Sequence, residues 1–121
     1  MQIKLSNLEK TALFYDAIMH VLGYKKVLEI ENVVIGYGID VNDMFEIKQA
    51  NTTSLLSASV HIAFNAYTKA QVGLFYKTAL LHGGKCNGKP GFRKEYAEHC
   101  YAVFVIDLNG HNIEAVFCKP L

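Results

Sequence analysis

The chain repeats itself, and no other feature constrains its fold as much. Leu13-Phe14-Tyr15 recurs as Leu74-Phe75-Tyr76 and Gly23 recurs as Gly84, each 61 positions further on. Two copies of one supersecondary module therefore share 121 residues, a length suited to one ordinary domain. The expected organisation is a single domain with a first module at 1–50, a linker at 51–57 and a second module at 58–121.

Each copy opens a helix in the same way. Ser6-Asn7-Leu8-Glu9 and Thr68-Lys69-Ala70-Gln71 read as capping boxes, in which a hydroxyl accepts from an orphan backbone N–H and the Glu or Gln reaches back. Val72, Phe75, Tyr76, Ala79 and Leu80 then form a helical stripe, mirrored by Thr11, Phe14, Tyr15, Ile18 and Met19. Gly23 and Gly83-Gly84 close the helices, because glycine takes the left-handed conformation without a Cβ clash. The same stripe is expected to be buried in both copies.

Around the helices the pattern turns to short β runs. One strand precedes each helix, at Gln2–Leu5 and Ala58–Phe64. Three follow: about 24–30, 32–37 and 44–49 in the first copy, and a short piece near 85–87, then 101–107 and 112–118, in the second. Asn109-Gly110 predicts the last hairpin. Strand side chains alternate between faces. Ile62 and Phe64 should pack beneath the helix, with His61 and Ala63 on the opposite, open face. In the last strand Ile113, Ala115 and Phe117 pack, which places Glu114 on that same open face. Likewise Phe45 and Ile47 turn Glu46 outward, and Ile3 and Leu5 turn Gln2 outward.

Composition removes several function classes. Hydrophobic residues make up 51% of the chain and charged ones 19%, which excludes disorder. The net charge is +1 with no run of like charges, so no nucleic-acid footprint exists. No apolar run approaches the roughly 20 residues of a membrane span, and the N-terminus lacks a signal-peptide layout, so a cytoplasmic address is expected. Cys86, Cys100 and Cys118 are odd in number and widely spaced, so they read as reduced, buried thiols.

These motifs together carry a resemblance. Val60-His-Ile-Ala-Phe64, Leu74-Phe-Tyr76, Gly83-Gly84, Gly88-Lys-Pro-Gly-Phe-Arg93, Ala102-Val-Phe-Val-Ile-Asp107 and Gly110-His-Asn-Ile-Glu-Ala-Val116 follow one another as in a glyoxalase-like branch of the vicinal oxygen chelate superfamily. That superfamily holds glyoxalases, bleomycin-resistance proteins and extradiol dioxygenases. The resemblance implies an α+β fold of two βαβββ modules, forming a U-shaped, partly closed mixed sheet with helices on the outer face. It also implies a small-molecule ligand, a homodimer and a site that often binds a divalent metal.

In metal-using members the ligands sit on the first and last strand of each module. By that correspondence His61, Glu114 and Glu46 are candidate ligands for Zn, Ni, Mn or Fe. The position matching His61 in the first copy would precede Met1. Either the first strand is truncated, or Gln2 substitutes, or water fills the position. Glu114 is also the candidate catalytic group, and Arg93, Tyr101 and Gln2 are candidate substrate-binding residues. Simpler readings stand beside these: His61 as a hydrogen-bonded histidine lining a cleft, Glu46 paired with Lys48, Arg93 in a solvated turn-rich loop, and Tyr101 as packing. Tyr96 and His99 are further polar groups near the cleft. The expected function is a metal-assisted lyase, isomerase or dioxygenase acting on adjacent oxygens. The alternative is a metal-free protein that sequesters a drug or other small molecule.

Overall fold

Each copy of the repeat folds into a four-stranded mixed sheet that carries one helix on one side. The computed structural model describes residues 2–5, 7–40, 43–49, 61–93 and 99–119. They fall into two compact units, Met1–Ala58 and Ser59–Leu121. The expected linker at 51–57 lies outside the described residues.

The first unit runs β1 (Gln2–Leu5), α1 (Leu8–Leu22), β2 (Lys25–Ile30), β3 (Val34–Asp40) and β4 (Asp43–Gln49). The second runs β5 (His61–Asn65), α2 (Lys69–Leu81), β6 (Lys85–Phe92), β7 (Cys100–Ile106) and β8 (Asn112–Cys118). Strand order is β1-β4-β3-β2 in one sheet and β5-β8-β7-β6 in the other. First and last strands pair in parallel, and the remaining neighbours are antiparallel. This is the predicted α+β, βαβββ arrangement, present twice. Neither sheet is closed.

The helical stripes are buried as hydrophobic periodicity requires, though unequally. Thr11, Phe14, Tyr15, Ile18 and Met19 are all buried, and Tyr15 stacks edge-on to Phe14 at 5.1 Å and against Phe45 at 5.3 Å. Each such side chain contributes about 1.5–3 kcal/mol of burial free energy. Ile18→Ala, which opens a hole at a fully buried position, is expected to cost about 2–5 kcal/mol. In α2 only Val72, Phe75 and Ala79 are buried. Tyr76 and Leu80 are partly exposed, so the second stripe is narrower than expected.

The caps are largely as read. Thr68 accepts from the Gln71 backbone N–H at 3.1 Å, while the Gln71 side chain accepts from the Tyr67 N–H. On α1 the capping residue is Asn7 rather than Ser6: its Oδ1 accepts from the Lys10 N–H at 3.0 Å. Asparagine is as good an N-cap as serine, so one residue of frame shift costs nothing. Gly23 ends α1 at φ 83°, in the left-handed region.

Two expectations are corrected. The segment from Gly88 to Phe92, expected as a loop, belongs to β6, whose pairing with β7 shifts register around Gly88. Irregular pairing lets an edge strand pass through glycine and proline, residues that a regular central strand excludes. The second correction concerns the cysteines. Cys100 and Cys118 stand directly opposite one another on β7 and β8 and form a disulfide, and Cys86 is exposed. Sequence spacing hid this pair because the intervening hairpin sets their register. The reading of the three cysteines as reduced, buried thiols goes with it. Among the described residues no helix is long and apolar enough to cross a membrane.

Candidate functional site

The open face of the second sheet collects the polar groups. On β5 the alternation buries Ile62 and Phe64 and exposes His61, Ala63 and Asn65, while β8 buries Ile113 and Ala115 beneath α2. Ala63 is paired with Glu114, and Glu114 with Phe104 of β7. His61 lies one pleat from Ala63 on the same face, so its ring reaches across to the carboxylate. The distance from His61 Nε2 to Glu114 Oε1 is 2.7 Å. Here a side chain that is 4% exposed holds one that is 48% exposed.

A carboxylate only accepts, so Nε2 carries the hydrogen, and in the neutral form of the ring the lone pair lies on Nδ1. Nδ1 has no hydrogen-bond partner among the described residues. The next group along the face is Phe104, whose ring centroid lies 6.0 Å from that of His61 in an edge arrangement. Beyond it the Arg93 guanidinium lies over the Phe104 ring at 5.0 Å, a cation–π contact. One Arg93 Nη donates to the carbonyls of Lys89 and Ala102, and buried Nε has no partner among the described residues. Gly88 leaves the room this stacking needs, since a Cβ there would lie 2.9 Å from Phe104 Cδ2 and 3.3 Å from Arg93.

The structure therefore brings His61, Glu114 and Arg93 to one face. Phe104, which lies between them, was missed in the sequence, where an aromatic amid Val103 and Val105 reads as core. Arg93 is not the solvated loop arginine expected. Tyr101 is not brought to this face: it shares the alternation of buried Val103 and Val105, and its ring packs on Phe92 at 5.2 Å. That arrangement agrees with its simpler reading as packing. His99 is partly buried, and its carbonyl accepts from the Lys119 N–H. Tyr96 lies outside the described residues.

In the first unit Glu46 stands directly opposite Gln2. This is the register in which Glu114 faces Ala63, so the two glutamates are equivalent positions of the repeat. Glu46 makes no ion pair with Lys48 among the described residues. The described residues hold no group of three or more His, Cys, Asp or Glu able to bind a metal. Catalytic zinc sites use three protein ligands, whereas His61 and Glu114 supply two and are bonded to each other. The described donors do not by themselves fit a metal centre.

No family model and no curated protein matches the sequence. Solved structures do match. A glyoxalase/bleomycin resistance protein from Albidiferax ferrireducens aligns over 97% of this chain and 95% of its own, at 22% identity and a TM-score of 0.83. A glyoxalase/bleomycin resistance protein/dioxygenase family enzyme from Burkholderia phytofirmans aligns over 98% and 96%, at 14% identity and a TM-score of 0.72. The chain shares the fold of these structures. A glyoxalase I mutant from Zea mays shares it over 97% of this chain and 45% of that longer one, with 17% identity and a TM-score of 0.71. Within this fold, the parallel pair of first and last strands is what sets His61 beside Glu114.

Proposed function

We propose that the open face of the second sheet is a small-molecule site at which His61 moves a proton. The observation that carries this reading is the 2.7 Å bond from an exposed imidazole to a buried glutamate. A fixed ring with one nitrogen tied to a carboxylate and the other directed to a ligand is the arrangement general acid–base catalysis needs.

The substrate class follows from the neighbours. Phe104 offers an apolar platform, and the guanidinium stacked on it offers a fixed positive charge. A small carbonyl compound with an adjacent oxygen fits both. Nδ1 takes the proton from the carbon next to the carbonyl, the bonding pair moves onto the carbonyl oxygen as an enolate, and Arg93 stabilises that charge. The hydroxyl proton then passes from the adjacent oxygen to the former carbonyl oxygen, and the proton held by His61 returns to the former carbonyl carbon, which completes an isomerisation. Glu114 orients the ring and stabilises the imidazolium as it forms, which makes it a positioning residue.

The test uses purified protein, metal analysis and a panel of α-hydroxy carbonyl compounds. Solvent deuterium appearing at the carbon next to the carbonyl, lost in His61→Ala without metal loss, supports proton transfer. Stoichiometric metal that is lost in His61→Ala supports the metal-assisted alternative instead. Saturable binding with no exchange supports a sequestering protein.

A further inference from the structure

The first unit carries a cavity lined by its own residues. Its volume is about 310 Å³, at the lower end of the range for ligand pockets. It lies where the first half of α1 passes the end of the β2–β3 hairpin, with Leu8, Leu13, Ile30 and Ile35 among its walls. Leu13 is 67% and Ile30 50% exposed, so apolar surface is left open on both sides. Glu9, Asp16, Glu29 and Glu31 also line it, against one ammonium, that of Lys26. The lining has a net charge of −3 in a chain whose total is +1.

Lys26 does not neutralise this group. It reaches Asp16 and Glu29, each at 3.5 Å, and neither Glu9 nor Glu31 has an ion-pair partner among the described residues. The repeat supplies an independent comparison. Ile30 and Val34 form the last pair of the β2–β3 hairpin, and Phe92 and Tyr101 end the equivalent β6–β7 ladder. In the second copy that corner holds the ammonium of Lys69, the first residue of α2, at 4.8 Å from the Phe92 ring and 5.0 Å from the Tyr101 ring. In the first copy the first residue of α1 is Leu8, which brings no charge.

We propose that this cavity binds an amphipathic organic cation, a primary ammonium on an apolar body, supplied from solution where the second copy uses its own lysine. The apolar part lies against Leu13 and Ile30, and the ammonium takes the place between Glu9 and Glu31. Charge complementarity selects a cation, and the small volume selects a small molecule over a peptide helix.

The probe is phenethylammonium, titrated into the whole chain with amide shifts followed by NMR, and with phenethyl alcohol as the neutral control. The expected result is saturable binding with shifts centred on Leu13, Ile30 and Ile35, weakened about tenfold in the Glu9→Gln/Glu31→Gln pair and by added salt. His61→Ala should leave it unchanged, which separates this site from the open face. Equal binding of the alcohol, unchanged binding in the double variant, shifts centred on the second unit, or no saturation would each overturn the proposal. A basic peptide that displaces the probe at far lower concentration would overturn its small-molecule form.

Discussion

Glu114 is almost entirely enclosed, and the imidazole it binds, His61, stands half in solvent. The pair therefore has a fixed inner member and an accessible outer one. It should lock His61 in the Nε2–H tautomer, which nitrogen chemical shifts of the ring report directly. Glu114→Gln keeps the shape and removes the ionic acceptor, so a mixture of tautomers is expected, with a stability loss of about 1–2 kcal/mol. An unchanged tautomer would sink the positioning role.

The Cys100–Cys118 disulfide closes a loop with a sequence separation of 18. Chain-entropy arguments give such a loop about 3 kcal/mol. Replacing both cysteines by serine should lower stability by about that amount in urea unfolding. Adding a thiol reductant should bring the parent protein down to the level of the variant and leave the variant unmoved.

Tyr37 is buried, and its hydroxyl donates to Asp16 Oδ1 over 2.7 Å. Burial, followed by the hydrogen bond and the negative charge of Asp16, pushes the phenol above its ordinary value. The fold holds the neutral form. Its contribution is fully present below pH about 10 and is lost as pH rises further, because the unfolded phenol ionises there and the folded one resists. Tyr37→Phe should cost about 1 kcal/mol at neutral pH. It should also flatten the fall in unfolding midpoint above pH about 10.

Cys86 is exposed and sits beside Tyr76 and Lys89. A hydrogen bond from Tyr76, assisted by the Gly88 N–H and the Lys89 charge, holds its thiol below the usual cysteine value. Iodoacetamide should modify Cys86 alone in the unreduced protein, with a pH midpoint lower than that of a free thiol. Tyr76→Phe should move that midpoint upward. An unchanged midpoint would show that Tyr76 is not the cause.

Much of this architecture could be read from the residues. The 61-residue repeat, the Thr68 cap and the period-two strands at Gln2–Leu5 and Asn112–Cys118 needed only local rules. The shared face of His61 and Glu114 followed from alternation on two strands. What local rules could not supply was register. The disulfide depends on Cys100 meeting Cys118 across a hairpin. Phe104 became part of the site only because Glu114 faces it and Arg93 folds back over it. The passage of β6 through Gly88 and Pro90 was hidden for a related reason, since tertiary pairing outweighed turn propensity there.

The parallel pairing of β1 with β4 has one more consequence. Leu5 and Gln49 are 44 residues apart in the chain, yet Gln49 Nε2 donates to the Leu5 carbonyl. During synthesis this strand leaves the ribosome long before its partner β4 exists. The β2–β3 and β3–β4 hairpins can form by local closure, and Gln2–Leu5 joins them last. Maturation of each half is then paced by the return of its own leading end, a step set by loop-closure entropy rather than by local preference.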